Sequence, residues 1–330
     1  MTIKFISDWK EMYTSTVAAL SNAEPLFYGR IGGSDTDMVI DYLEGIMRGD
    51  EETEILSGLR KHFPIVEAYN GYYDKRGDEL NYIRYCKVLF DCYLPLRHAS
   101  LVGGRPVTLY FKENINPKFW MDDDGKAAVY DYLINRIHDV SRDLSLYPYP
   151  FIEKTTSHQW SLFNAFREIL PGKKVLILTP FSQTIEKNFH NRVHFFKDYE
   201  YPEFTALPLT TPITYKGLPS NLYPHDDWFE TVDALKASIA EIEFDIALLA
   251  CGSYAMPLGD YIARGLRKKA VYVGGVLQLY FGIMGRRYEN VFFTSRMNEE
   301  FFVRAEERDL YLQYIKVVPD SATEAFGAYL

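Results

Sequence analysis

Cysteine is scarce. The 330 residues hold three, Cys86, Cys92 and Cys251, an odd number with no Cys-x-x-Cys pair and no histidines at zinc-ligand spacing beside them. That argues against a disulfide framework and a zinc site, and it leaves reduced, mostly buried thiols as the expectation. A long apolar run is missing too: no stretch approaches the roughly twenty residues a membrane-spanning helix needs. Residues 1–13 carry Lys4, Asp8, Lys10 and Glu11 where a secretory leader would be continuously apolar. A cytoplasmic protein with no integral membrane segment is expected. Positive charge is in deficit, with a formal net charge of −9, and the short basic cluster Arg264, Arg267, Lys268 and Lys269 does not make a stripe. No nucleic-acid partner is expected on that ground. Low-complexity segments, which would argue for disorder, are also absent.

What the chain does have is core material. Hydrophobic residues make up 47%, with 26 Tyr and 22 Phe, and tyrosine is the aromatic that stacks on sugars and bases while keeping a hydroxyl available. The length fits two lobes or one large α/β domain with insertions. Apolar spacing predicts helices over 8–21, 36–47, 51–63, 78–94 and 120–140, a strand over 26–28, and a strand or hairpin over 101–111. Prolines at 148 and 150 forbid regular helix over 146–151, and the main seam is placed there.

Beyond the seam, strands and helices alternate. Strands are expected over 173–178, 204–209, 245–250 and 270–273, with helices over 161–170, 183–189, 228–241 and 258–266. The runs Val175-Leu176-Ile177-Leu178 and Ile246-Ala247-Leu248-Leu249 are apolar throughout, as strands of a parallel sheet covered on both faces must be. The fold class is therefore α/β: a Rossmann-like, mostly parallel sheet with helices on both faces, plus a helix-rich N-terminal portion. The division is 1–150 for that N-terminal portion and 151–330 for the Rossmann-like portion, or one continuous domain. Ligands of such sheets bind at the carboxyl edge.

Two segments place arginine beside tight backbone turns. The first is Gly29-Arg30-Ile31-Gly32-Gly33-Ser34-Asp35-Thr36-Asp37, read as strand, glycine turn, helix, with Ser34 or Asp35 where an N-cap belongs. Such a unit aims free N–H groups and the positive end of a helix dipole at one point, a geometry that binds phosphate. Arg30 adds a planar fork of donors, and Asp35 with Asp37 offers carboxylates for the divalent cation a diphosphate brings. The bland alternative is a tight turn with a capping aspartate. The segment is not the three-glycine dinucleotide fingerprint, and it lacks the lysine and hydroxyl of a Walker A loop. The second segment runs from Gly274-Gly275 through Gln278 and Gly285 to Arg286-Arg287-Tyr288; its alternative is a core-packing helix with two solvated arginines.

Two further loops leave strand ends. Thr179-Pro180-Phe181-Ser182-Gln183 offers hydroxyls for phosphate or ribose, or a plain cap at Ser182. Cys251-Gly252-Ser253-Tyr254 offers a glycine, a hydroxyl and a ring, or simply a turn. Asp122-Asp123-Asp124 has the Asp-x-Asp spacing of a metal site, or is a solvated helix cap, which is preferred; His190 and His194, four apart, could bind metal on one helix face, but with no accompanying Glu they, like His158, are read as structural.

These residues resemble a family. Gly29-Arg30-Ile31-Gly32-Gly33-Ser34-Asp35 is similar to the arginine, aliphatic, glycine and acid signature of bacterial glycosyltransferases of the GT-D class and their relatives from surface-polysaccharide clusters. The segments over 178–185 and 274–287 resemble later parts of those proteins, so the likeness covers three islands. It implies a Rossmann-like fold, a nucleotide-sugar donor, a glycan acceptor, and Mn²⁺ or Mg²⁺ held through an acid-x-acid motif. The acidic motif here is Asp35-x-Asp37, with Ser34 where the best-known members carry another acid, so the metal is carried over onto Asp35 first and Asp37 second. On this reading Arg30 and Asp35 are the catalytic pair. Gly32, Gly33, Ser34, Thr179, Ser182, Gly252, Ser253, Gly275, Gln278, Arg286 and Arg287 bind the donor, and Tyr254 or Tyr280 stacks on base or sugar. The rivals are a transferase or hydrolase of phosphorylated sugars and a noncatalytic ligand-binding subunit of a polysaccharide assembly.

Overall fold

The computed structural model describes residues 4–5, 9–31, 34–101, 145–148, 162–285, 288 and 296–315. The helix expected over 120–140, the hairpin region after Leu101, the Asp122-Asp123-Asp124 run and His158 lie outside them. The first half supplies β1 (Lys4–Phe5), α1 (Trp9–Ser21), β2 (Leu26–Ile31), α2 (Ser34–Arg48), α3 (Glu52–Leu59), α4 (Leu80–Tyr93), β3 (His98–Leu101) and β4 (Ser145–Pro148). The second supplies α5 (Leu162–Ile169), β5 (Lys174–Thr179), α6 (Ser182–Asn188), β6 (Thr205–Thr210), α7 (Trp228–Ala240) and β7 (Ile246–Leu249). After these come α8 (Ala255–Asp260), β8 (Lys269–Tyr272), α9 (Leu277–Tyr280) and α10 (Arg308–Ile315).

The eight strands form one sheet in the order β1-β4-β3-β2-β8-β7-β5-β6, and each neighbouring pair is parallel. Strands from both halves of the chain share it, β2 pairing with β8 from Leu26↔Lys269 to Tyr28↔Val271. The fold is α/β and Rossmann-like. The proline-bearing stretch expected as a seam carries β4, in register with β3 up to Leu101↔Pro148. A proline is tolerated at a strand's end, where its missing N–H costs least.

Side chains on the central strands β2, β5, β7 and β8 alternate between two separate cores. Phe27, Ile31, Leu176, Leu178, Ala247, Leu249 and Ala270 face one, shared with α2, α3, α4, α7 and α8. Leu26, Tyr28, Val175, Ile177, Ile246, Leu248 and Val271 face the other, shared with α1, α5 and α9. The central strands β2, β5, β7 and β8 are therefore covered on both faces, which is why period-two alternation is missing from their sequences.

Local chemistry sets several boundaries. The helix expected over 51–63 stops at Leu59 and tightens into a 3₁₀ turn, Arg60–His62, in which Phe63 N–H donates to Arg60 O. Pro64, with no N–H of its own, bars the next ordinary helical bond. At the start of α7, the Asp227 carboxylate accepts from Glu230 N–H at 2.8 Å, a helix cap. The basic cluster after α8 is largely occupied: Arg264 Nε donates to Asp260 at 2.6 Å, and Lys268 Nζ donates to Phe244 O.

Helix α8 lies on β2 through a glycine. A Cβ at Gly259 would come 2.2 Å from the buried Phe27 ring. Gly259→Ala gains helix propensity of about 1 kcal/mol but overpacks this contact by roughly 1–3 kcal/mol. Urea unfolding is expected to show net destabilisation, and the double variant Phe27→Leu/Gly259→Ala to recover part of it.

Candidate functional site

The carboxyl ends of β2, β8, β7, β5 and β6, five neighbours in the sheet, open into a cleft of about 190 Å³. The topology places it. From β5 the chain steps outward to β6, then returns to the other side of β5 as β7 and continues away to β8. Loops leaving β5 and β7 consequently diverge, and a crevice is left between them.

Arg30, one residue before the end of β2, reaches across to the loop after β8. Its Cζ lies 5.3 Å from the Tyr272 ring centroid, a cation–π contact. A Cβ built on Gly274 would come 2.5 Å from Arg30 Nη1, and Gly274 has φ +77, a left-handed backbone. Glycine is thus required there twice over, by the backbone and by the guanidinium. Both Gly274 and Gly275 line the cleft.

At the start of α2, Ser34 and Asp35 line the same cleft. The Ser34 hydroxyl donates to Asn70 Oδ1 at 3.0 Å. Tyr85, from α4, donates to Asp35 Oδ1 at 3.1 Å. Burial pushes the Asp35 carboxyl up to about 6; the Tyr85 hydrogen bond and the Arg30 charge pull it down, and the Asp37 charge pushes it up. Desolvation wins, so this acid changes protonation close to neutrality.

The remaining wall comes from a π-helical turn, Val66–Asn70, closed by Gly71 at φ 81. Thr214, in the loop after β6, donates to Gly71 O at 2.5 Å, and its Oγ1 lies 2.6 Å from Tyr254 Oη. One threonine thus ties the π turn to the loop after β7. Ser253 accepts from Trp228 Nε1 at 2.8 Å, which leaves the serine O–H to donate.

Of the residues proposed from sequence, Arg30, Ser34, Asp35, Thr179, Gly252, Ser253, Gly275 and Gln278 line this cleft. Ser182 does not: its hydroxyl shares a hydrogen bond with Thr210 Oγ1, and the residue is buried. Asp37 is not among the lining residues either. Gly32, Gly33, Arg286 and Arg287 lie outside the described residues. Tyr280 cannot stack on a ligand, because it is fully buried among Phe163, Phe166 and Tyr201. Tyr254 lines the cleft but already stacks on Trp228 at 5.9 Å. The apolar helix expected after Gly275 is a single turn, α9. His190 and His194 fall on a 3₁₀ segment, Phe189–His194, whose three-residue repeat keeps them off one face.

Sequence reasoning missed Tyr69, Asn70, Gly71, Thr214 and Tyr272 as lining residues. The Asn70-Gly71 dipeptide was an available turn signal; nothing in the local sequence marks the others.

No family model and no curated protein matches the chain. Among solved structures, a selenomethionine-substituted structure of a domain of unknown function, DUF1792, is similar at 14% identity and a TM-score of 0.44, over 84% of this chain and 80% of that one. So distant a likeness carries no functional argument.

The Asp35 carboxyl yields a test with a definite sign. Its pKa is higher folded, about 6, than the usual 3.8. Its stability cost is therefore absent below pH 4, grows as the pH rises from 4 to 6, and is fully present above that, on the order of 3 kcal/mol. Asp35→Asn keeps the acceptor for Tyr85 and removes the charge. Its melting temperature is expected to exceed wild type at pH 8 and to converge with it at pH 4; equal melting at pH 8 would show that the buried charge costs nothing.

Proposed function

We propose that the chain is a nucleotide-sugar-dependent glycosyltransferase that moves a sugar from a nucleoside diphosphate donor to a glycan hydroxyl, in surface-polysaccharide or glycoprotein-glycan synthesis. One observation carries this reading. Arg30 from the first strand–turn–helix unit meets Gly274 from the last, in a cleft that also presents Asp35, Ser34, Thr179 and Ser253. That is one guanidinium fork, hydroxyl donors and a close-approach backbone at one sheet edge, the chemistry that grips a diphosphate.

Breaking the glycosidic bond puts negative charge on the departing diphosphate, and fixed donors aimed at that charge supply the largest catalytic effect. Arg30 is held by Tyr272 and by the gap at Gly274, so it needs little reorganisation to meet that charge. Asp35 beside an anionic leaving group requires neutralisation, by a proton, for which its pKa of about 6 is suited, or by a divalent cation. Among the described residues no group of three or more His, Cys, Asp or Glu gathers to hold a metal. A self-sufficient protein cage is not what such donors use: Mg²⁺ is typically bound through one or two carboxylates together with substrate phosphates. Asp35, with Asp37 close enough to perturb it, fits that arrangement, and Mn²⁺ or Mg²⁺ there would neutralise the diphosphate.

The same phosphate-binding loops would serve a transferase or hydrolase of phosphorylated sugars, or a noncatalytic binding subunit, so nucleotide preference separates the readings. A thermal-shift panel of UDP-, GDP-, dTDP- and CMP-sugars with and without Mn²⁺ is expected to show one preferred nucleotide. A ligand at about a hundred times its dissociation constant stabilises by roughly 2.7 kcal/mol. No nucleotide-dependent shift removes the proposal. Arg30→Lys keeps the charge and loses the fork, and donor affinity is expected to fall about tenfold or more; calorimetric titration showing unchanged affinity removes Arg30 from the donor site.

A further inference from the structure

The loop after β8 holds an unusual side chain. Gln278 is 4% exposed and lines the cleft, yet neither its Nε2 nor its Oε1 has a hydrogen-bond partner. A buried donor and a buried acceptor left unmade together are costly, and such groups are nearly always satisfied. Nothing about the backbone forces the exception. Both Ile283 N–H, at 2.9 Å, and Phe281 N–H, at 3.1 Å, donate to Gln278 O, so the main chain is satisfied. Its neighbour Tyr280 is locked in the core, with Tyr201 donating to its carbonyl at 2.8 Å. The backbone that carries the amide is thus fixed where it lines the cleft. Asn70, which lines the same cleft, likewise has a buried and unpartnered Nδ2, while its Oδ1 accepts from Ser34.

A carboxamide presents one donor and one acceptor side by side. The complementary ligand group also carries an acceptor next to a donor, as two adjacent hydroxyls of a sugar ring do: one oxygen accepts from Nε2–H, and the neighbouring O–H donates to Oε1. Position narrows the choice. Gln278 stands in the first turn of α9, directly after the tight turn in which Leu277 N–H donates to Gly274 O at 3.0 Å, and Gly274 is where Arg30 lies. In a nucleoside diphosphate sugar, the groups that adjoin the diphosphate are the two sugar rings, with the base farther out.

We infer that Gln278 is the specificity-determining residue that grips a vicinal hydroxyl pair on a sugar ring of the donor, either the ribose or the transferred sugar. This rests on the nucleotide-sugar reading above. It goes beyond that reading by assigning the recognition to one amide whose hydrogen bonds the free protein lacks.

The test is Gln278→Met, which approximates the side-chain length and removes both polar atoms. The free variant is expected to melt at or above the wild-type temperature, since two unsatisfied buried groups are gone. Affinity for the preferred nucleotide sugar is expected to fall roughly tenfold to a hundredfold. Bare UDP and GDP, titrated in parallel with UDP-glucose and GDP-mannose, distinguish the sources: an equal loss for both forms assigns the ribose, and a loss confined to the sugar conjugates assigns the transferred sugar. Unchanged affinity for all four ligands overturns the inference, as does a lowered melting temperature with unchanged affinity, which marks a structural amide. If wild type binds none of them, the nucleotide reading falls; glucose 1-phosphate and ribose 5-phosphate then decide this inference, Gln278-dependent binding of either upholding it and none overturning it. Should the methionine variant not fold, the side-chain amide resonances of wild-type Gln278 give the same answer, and no perturbation at ligand saturation overturns the proposal.

Discussion

The site rests on one close approach: a guanidinium lying where a side chain at position 274 would have to be. Arg30 fills the space that Gly274 leaves open, and its guanidinium lies over the Tyr272 ring. That contact ties the end of β2 to the turn after β8, two strands that pair in parallel side by side in the sheet. Everything else in the cleft is arranged around this junction. Asp35 feels the Arg30 charge, and the π turn at 66–70 adds Asn70 and Gly71 to the lining.

The fold that makes the junction possible follows from a simple sorting of residues. Strands with apolar side chains on both faces have to be covered twice, and the helices divide between two separate cores to do it. Parallel connections then bring successive carboxyl ends to one edge, so residues distant in sequence meet without any loop reaching far. The polar groups collected there sit above two dry cores. Burial against those cores raises the Asp35 carboxyl, and it also makes an unpartnered amide at Gln278 conspicuous.

Much of this was legible in the sequence, for identifiable reasons. Val175-Leu176-Ile177-Leu178 and Ile246-Ala247-Leu248-Leu249 read as strands because only buried parallel strands are apolar at every position. Arg30 and Gly274 stood out as charge beside glycine. By contrast, β3 carries His98, Ala99 and Ser100, and β4 ends in Pro148, so neither shows the apolar run that marks the middle of the sheet. The Tyr85 contact to Asp35 joins residues fifty positions apart and leaves no local trace. Ser182 and Tyr280 failed in the opposite direction. Their residue types suit a binding site, but Thr210 takes the serine hydroxyl, and an aromatic core takes the tyrosine ring. Which polar groups remain available is decided by tertiary neighbours, and sequence does not display those.

The pairing of β2 with β8 has a consequence for biosynthesis. Leu26 leaves the ribosome long before Lys269, its partner across the ladder. Strands β5, β6 and β7 can associate as a cooperative unit while β2 still lacks its neighbour, and such delayed long-range closure is slow and exposes sticky edges. The junction of Arg30 with Gly274 therefore closes only after β8 has been made. A chain that ends before β8 keeps the walls that β5, β6 and β7 supply and lacks the glycine beside which the guanidinium is seated.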